Sequence, residues 1–220
     1  MRKLSVILLL LVFATLLLTG CNQNTINGNG TIIETIIPIT GRIEAITNTN
    51  IFHVVLTDRQ DNISLVADEN LVPYISIEQS GVNLQLRRTG NHQLNPTTPI
   101  IIRVPISYVT SVSVSGSGRI TSEVPLDVDS FAVNISGSGN ITLEGRVVNL
   151  TVAVPGSGDA ILQNIQADNV TATLSGSGDI SLTAIYGLNA TVSGSGTIDY
   201  FGNPPNLITN TTGSGSIREN

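Results

Sequence analysis

Residues 170–182 read Val-Thr-Ala-Thr-Leu-Ser-Gly-Ser-Gly-Asp-Ile-Ser-Leu, and this stretch decides the fold. Its Gly-Ser-Gly recurs at 116–118, 137–139, 156–158, 176–178, 194–196 and 213–215, at intervals of 21, 19, 20, 18 and 19 residues. An isolated Gly/Ser segment is usually a flexible spacer, whereas a fixed period with flanks in constant phase indicates a structural repeat. The second half of the chain is therefore predicted to consist of repeats of about 19 residues.

Apolar and polar residues alternate on both sides of each Gly-Ser-Gly. Two residues before the first glycine stand Val114, Ile135, Val154, Leu174, Val192 and Thr211. Two residues after the last glycine stand Ile120, Ile141, Ala160, Ile180, Ile198 and Ile217. A period of two is typical of strands with one buried face, so each repeat is predicted to contain a strand, a glycine turn, a second strand and a variable return.

The constant phase favours a parallel β-helix, in which each repeat is one coil and equivalent residues stack about 4.8 Å apart. The predicted fold class is all-β, a solenoid with coils of about 19 residues that we expect to be right-handed. One corner of each coil would be formed by the glycines, because a positive φ or a close backbone approach excludes a Cβ there. These glycines are Gly116, Gly118, Gly137, Gly139, Gly156, Gly158, Gly176, Gly178, Gly194, Gly196, Gly213 and Gly215. The alternative is a sheet or sandwich of antiparallel hairpins joined by glycine turns, but that fold requires a second regular turn that the variable returns lack.

The chain before the repeats is also strand-like, but it does not share their period. Apolar runs broken by Gly, Pro, Asn and Asp extend over residues 32–104. Because the exposed first coil of a solenoid must be covered, this half is predicted to act as a cap. We predict a single domain over residues 31–220, with an irregular β half at 31–110 and the repeats at 111–220.

The N-terminus carries an export signal. Met-Arg-Lys precedes an apolar run at 4–18, which is shorter than the roughly 20 residues of a membrane-spanning helix. Leu18-Thr-Gly-Cys21 resembles the bacterial lipobox, in which the cysteine is acylated and becomes the new N-terminus; ordinary cleavage that leaves a free thiol is the alternative. We predict a signal peptide at 1–20, a lipidated Cys21, a tether at 21–30 and an extracytoplasmic location on a bacterial membrane.

The charge of the chain excludes two kinds of contact. Charged residues make up 12% of the sequence, the net charge is −6, and Lys3 is the only lysine. General nucleic-acid binding needs clustered Lys and Arg, so it is excluded. Adhesion to anionic lipid by charge is excluded for the same reason, and membrane attachment must come from acyl chains. Abundant Ser, Thr and Asn predict an uncharged polar outer face that can hydrogen-bond sugars, although aromatic residues are scarce.

One candidate metal site lies directly after the glycine corners. The residues at this position are Arg119, Asn140, Asp159, Asp179, Thr197 and Ser216. If the coils stack, Asp159 and Asp179 are axial neighbours whose like charges destabilise each other. A bound Ca²⁺ would relieve the repulsion, with oxygens of Asn140 and Thr197 completing its shell. Two carboxylates splayed into water are the alternative.

Parallel β-helices include polysaccharide lyases and hydrolases, and the sites of these enzymes need converging carboxylates. His53 and His92 lie outside the repeats and are not predicted to be catalytic. The alternative hypothesis of a carbohydrate-active enzyme rests on the densest group of acids, Asp58, Asp61, Asp68 and Glu69. These residues follow turn-like segments that favour solvated loops, so we predict no enzymatic activity and no cofactor.

Four segments, in their order, resemble one known family. They are Val66-Ala-Asp-Glu-Asn-Leu-Val-Pro-Tyr-Ile75, Gly81-Val-Asn-Leu-Gln-Leu86, Ile100-Ile-Ile-Arg-Val-Pro105 and Val112-Ser-Val-Ser-Gly-Ser-Gly-Arg-Ile120. They resemble the bacterial head GIN domain family, described as auto-transporter adhesins, and the likeness extends over about residues 32–217. The resemblance implies a β-helical extracytoplasmic domain, often on lipoproteins, with adhesion as its role, and it supplies no catalytic residues.

Together these features predict a non-enzymatic cell-envelope lipoprotein that serves as a surface-displayed adhesion or binding module. Extended solenoid faces bind through many weak contacts, so the expected partner is a polysaccharide or another surface protein. A structural, self-associating envelope component is the remaining alternative, because residues 217–220 show no obvious cap against end-to-end stacking.

Overall fold

The computed structural model of the chain describes residues 24–58 and 62–220. Within these residues the chain forms 18 β-strands and one 3₁₀ helix, Glu69–Tyr74. The strands are β1 (Thr25–Asn27), β2 (Ile32–Pro38), β3 (Ala45–Asn48), β4 (His53–Thr57), β5 (Asn62–Asp68), β6 (Ile75–Ser80), β7 (Asn83–Arg88), β8 (Gln93–Asn95), β9 (Ile101–Pro105), β10 (Ser111–Val114), β11 (Arg119–Ser122), β12 (Leu126–Ile135), β13 (Asn140–Val154), β14 (Ala160–Leu174), β15 (Ile180–Val192), β16 (Thr197–Phe201), β17 (Asn206–Thr211) and β18 (Ser216–Glu219).

The repeats stack in two parallel ladders, one on each side of the glycine corners. The pre-turn ladder runs β7-β3-β10-β12-β13-β14-β15-β17. The post-turn ladder runs β9-β4-β11-β13-β14-β15-β16-β18. The long strands β13, β14 and β15 belong to both ladders because each follows almost a whole coil. The result is a β-solenoid of about 5 turns, as predicted, and the hairpin alternative is wrong because both ladders are parallel.

The predicted inward columns form the core. The column after the turns pairs in register from coil to coil through Ile120, Ile141, Ala160, Ile180, Ile198 and Ile217. The first five of these side chains are fully buried within one hydrophobic cluster. Burying a large aliphatic side chain contributes roughly 1.5–3 kcal/mol, so the columns supply much of the driving force for stacking.

The corner glycines lie against the backbone of the preceding coil. A Cβ on Gly137 would meet the carbonyl oxygen of Gly116, one on Gly156 that of Gly137, and one on Gly176 that of Gly156, each closer than 3.0 Å. None of the corner glycines has a positive φ. Of the two causes considered from the sequence, close backbone approach is therefore the one that requires glycine here, and the positive φ is not found.

The first half of the chain contributes a further coil to the solenoid. This coil was not predicted from the sequence because it lacks the Gly-Ser-Gly motif. β3 pairs with β10 and β4 with β11, so residues 49–52 occupy the corner position. Asn48 is fully buried there; its Nδ2 donates to the carbonyl oxygen of Phe52 (2.8 Å), and its Oδ1 accepts from the backbone N–H of Asn50 (3.2 Å). A buried asparagine side chain thus fixes this corner where the glycine motif is missing.

Antiparallel strands close the N-terminal end of the solenoid. β6 pairs antiparallel with β7, β5 with β9, and β2 with β5, forming an irregular half-barrel sheet. Spatial order differs from chain order, because β7 and β9 lie between these antiparallel strands and the earlier strands β3 and β4. The cap therefore consists of the antiparallel strands alone, while β3, β4, β7 and β9 extend the parallel stack.

Residues 24–30, which precede β2, belong to the folded domain. β1 pairs with β8, and the N–H of Asn29 donates to Oδ1 of Asn70 (2.9 Å). This corrects the predicted tether at 21–30, because residues 25–30 are bound to the rest of the fold. The signal peptide at 1–20 and Cys21 lie outside the described residues. Among the described residues no helix is long and apolar enough to cross a membrane.

Candidate functional site: a groove beside Tyr108

A groove opens where the chain enters the pre-turn ladder. Two adjoining cavities of about 360 and 700 Å³ share Arg42, Ser107 and Tyr108 in their walls. The smaller extends towards Ile39, and the larger extends along β12. Their volumes lie in the range of ligand sites, roughly 300–1,000 Å³, although both depressions are open and more polar than most such sites. We call the combined depression, with the residues of β12 and β13 given below, the Tyr108 groove.

The tyrosine ring is held outward by its own turn. The N–H of Val109 donates to the carbonyl oxygen of Ile106 (2.9 Å), and the Val109 side chain is fully buried, so the preceding Tyr108 points to solvent with 55% of its surface exposed. The guanidinium carbon of Arg42 lies 5.4 Å from the ring centroid, a cation–π distance. Arg42, whose side chain is exposed, also pairs with Glu44 at 3.1 Å.

Carboxylates form the opposite wall. Asp127 and Asp129 are two residues apart on β12 and therefore project from the same face of the strand. Arg146 on β13 is the register partner of Asp127, but its ion pair is with Asp168, at 3.9 Å. Neither Asp127 nor Asp129 has a side-chain hydrogen bond or ion pair within the described residues. The wall thus offers two carboxylates whose oxygens face water.

The predicted calcium residues lie on adjacent coils. The N–H of Asp179 donates to Oδ1 of Asp159 (3.0 Å), that of Asp159 to Oδ1 of Asn140 (3.1 Å), and that of Thr197 to Oδ1 of Asp179 (2.7 Å). Each carboxylate therefore accepts a backbone hydrogen bond from the next coil, which offsets part of the repulsion. No group of three or more His, Cys, Asp or Glu residues suited to a metal ion occurs in the described part of the chain. Calcium at Asp159 and Asp179 stays a prediction.

The acids of the alternative enzyme hypothesis are not brought together by the described residues. Asp58 follows β4 near the start of β5, whereas Asp68 ends β5, about 20 Å away along a seven-residue strand. Glu69 begins the 3₁₀ helix, and its N–H donates to the carbonyl oxygen of Thr31. Asp61 lies outside the described residues. The geometry gives this hypothesis no convergent pair of carboxylates.

Asp68 instead joins three segments of the first half of the chain. Its carboxylate is fully buried and accepts the Thr97 hydroxyl (2.7 Å), the Thr97 N–H (2.9 Å) and the Gly30 N–H (2.8 Å). The hydrogen bond from the Thr97 hydroxyl is the largest cause that lowers the pKa of Asp68 below its usual value; burial opposes it, and the backbone N–H groups of Thr97 and Gly30 lower the pKa further. Asp68 is a structural carboxylate.

Replacing Asp68 with asparagine is expected to destabilise the protein at neutral pH but not at strongly acidic pH. A carboxyl group whose pKa is lowered on folding stabilises the folded state above its unfolded value of 3.8, and this contribution is lost as the pH falls through the lower folded pKa. Urea unfolding of wild type and Asp68→Asn should give free energies that converge as the pH falls below 3.8. Asp127→Asn, which changes an exposed carboxylate, is the control and should follow the wild type.

Both histidines have structural contacts. Nε2 of His53 lies 2.9 Å from the Thr121 hydroxyl oxygen, and burial, followed by the charges of Arg119 and Arg103, lowers the pKa of His53. The ring of His92 packs edge-on against Tyr74, with centroids 5.4 Å apart. Neither histidine lines the Tyr108 groove.

The groove residues were not found from the sequence, because Arg42, Tyr108, Asp127 and Arg146 come from four separate segments. The one available signal was Tyr108 itself, one of only four tyrosines, in the short Ser-Tyr between two buried strands.

Fold and surface together define the class: a capped β-solenoid with an open groove on its side. The chain belongs to the family described as "putative auto-transporter adhesin, head GIN domain", whose model matches residues 43–204. The match begins just before β3 and ends after β16, so it includes most of the solenoid and the whole of the groove's strands. The comparison with curated proteins gives no match.

Solved structures share the fold at low sequence identity. A putative adhesin from Bacteroides fragilis is 20% identical with a TM-score of 0.73, covering 89% of this chain and 100% of its own. A putative lipid binding protein from Parabacteroides distasonis is 25% identical with a TM-score of 0.59, covering 90% and 100%. A putative adhesin from Parabacteroides merdae is 19% identical with a TM-score of 0.54, covering 90% and 99%.

Proposed function

We propose that the protein is a non-enzymatic, lipid-anchored binding module of the bacterial cell envelope that recognises a polysaccharide. Membership of an adhesin-like family supports a surface partner and a location outside the cytoplasm. The sequence Leu18-Thr-Gly-Cys21 supports attachment by acyl chains. The net charge of −6 argues against attachment through the protein surface.

The observation that carries the proposal is the regular outer face of the pre-turn ladder. One outward column pairs in register through Ser113, Asn134, Ala153, Thr173, Thr191 and Asn210. Most of these side chains donate and accept hydrogen bonds without charge, and they repeat every 4.8 Å or so along a rigid backbone. A repeating polymer can bond to such a column at many points, and the rigid face loses little entropy on binding.

The test is binding measured together with turnover. The purified protein, recovered from bacterial membranes in a detergent without a sugar headgroup, is applied to immobilised polysaccharides and to whole bacterial cells, with and without Ca²⁺. We expect retention on at least one polysaccharide with no release of reducing sugar. The matched control is the Gly176→Val variant, whose solenoid is expected to be lost.

Three outcomes would contradict the proposal. Release of reducing sugar that a single Asp→Asn change abolishes would make the protein an enzyme. Retention on cells that protease treatment of those cells removes would make the partner a surface protein. Concentration-dependent oligomers with no retention on either support would favour a self-associating structural component.

A further inference from the structure

We propose that the Tyr108 groove is a saccharide subsite that selects neutral over acidic sugars, with the Tyr108 ring as its stacking platform. This inference rests on the proposed function and gives it a location. The groove differs from the outer face of the pre-turn ladder in having depth, an aromatic ring and two charged walls.

The ring supplies the apolar contact. A pyranose ring has one face of C–H groups that packs against an aromatic face, and such contacts require a ring that is exposed yet fixed. The Tyr108 ring meets these conditions in that 55% of its surface is exposed, Arg42 lies over the ring, and the next residue, Val109, anchors the turn by its burial. Tyr186 is equally exposed, at 56%, but it does not line the groove and serves as its internal comparison.

The carboxylates supply the polar contacts and the selectivity. Asp127 and Asp129 stand roughly 7 Å apart on one strand face, and their oxygens accept hydroxyl hydrogens from a sugar. Both arginines of the groove already face carboxylates, Arg42 with Glu44 and Arg146 with Asp168. The excess charge at the wall is therefore negative, and a uronate would be repelled where a neutral hexose is accepted.

The test compares four hexasaccharides by isothermal titration calorimetry on the detergent-purified protein. Cellohexaose, mannohexaose and N-acetylchitohexaose are neutral, and hexagalacturonate is acidic. We expect at least one neutral probe to bind and hexagalacturonate to bind at least about tenfold more weakly. Tyr108→Ala should weaken the neutral probe about tenfold, Tyr108→Phe should retain most of the affinity, and Tyr186→Ala should not change it.

The double variant Asp127→Asn/Asp129→Asn should bind hexagalacturonate more tightly than the wild type does. The difference in affinity between the neutral probe and hexagalacturonate should therefore become smaller. Thermal melting of each variant establishes that it is folded, which is expected because all four altered side chains, those of Tyr108, Asp127, Asp129 and Tyr186, are exposed. Equal binding of hexagalacturonate would overturn the selectivity. Binding that Tyr108→Ala leaves unchanged would overturn the subsite while the proposed function stands. If none of the four probes binds, the proposal of a saccharide subsite is wrong. The proposed function is then decided separately by the retention of the protein on polysaccharides and cells.

Discussion

Changing Gly176 to valine is expected to destabilise the protein by more than about 4 kcal/mol, well beyond the roughly 1 kcal/mol of an ordinary point mutation. A Cβ at this position would penetrate the backbone carbonyl of Gly156, and backbone atoms cannot turn aside as a flexible side chain does. The coils must then separate at this corner, which breaks parallel pairing on both sides of it. Urea denaturation followed by circular dichroism measures the loss.

Two further variants test whether the loss of stability comes from the close approach of the two backbones or from any substitution in this corner. Gly176→Ala adds one carbon atom and should already be strongly destabilising, since that atom is the one that collides. Ser177→Ala changes the exposed neighbour in the same corner and should stay within about 0.5 kcal/mol of wild type. A Gly176→Ala protein as stable as wild type would mean that neighbouring coils do not approach as closely as described.

The Cys21→Ser variant is expected to leave the membrane completely. Serine offers no sulfur for acylation, and without acyl chains an acidic, nearly lysine-free protein has no other affinity for anionic lipid. Fractionation of cells by ultracentrifugation and immunoblotting should move the protein from the membrane pellet to the soluble fraction. Metabolic labelling with palmitate should mark the wild type and not the variant.

Thr25→Ser is the control for this experiment, because it makes a small change four residues after the cysteine and should leave the protein in the pellet. The proposal of an acyl anchor on Cys21 would be disproved if the Cys21→Ser protein still sedimented with membranes and was released only by detergent. An unlabelled wild type in the soluble fraction would indicate ordinary signal-peptide cleavage with a free thiol.

Sequence periodicity was sufficient for the Gly-Ser-Gly repeats because each of those coils obeys the same steric rule. A glycine is required wherever two backbones nearly touch, and the inward columns follow from it with the correct register. The coil of β3 and β4 was missed because Asn48 holds its corner by side-chain hydrogen bonds, which leave no periodic trace. The position of β7 and β9 was missed because alternation shows that a strand has a buried face but does not identify its neighbours.

The groove was beyond sequence reasoning for a different reason. Its walls come from residues about a hundred positions apart, and each of them is unremarkable in its own segment. The scarcity of aromatic residues predicts little stacking on sugars, whereas the proposed subsite requires only the one exposed ring of Tyr108. The acids that the sequence grouped together, by contrast, are separated by the length of β5.

The early start of β1 also limits how far the domain can stand from the bilayer. On the proposed acylation of Cys21, Thr25, where β1 begins, follows the anchor by four residues and so lies at most about 14 Å from it. Under this proposal the part of the domain that carries β1 is held close to the headgroups. A connection this short cannot cross a thick wall or capsule, so a ligand must come within a few nanometres of the bilayer that carries the protein. If the protein takes part in contact between cells, the partner molecule on the other cell must therefore span most of the distance between them.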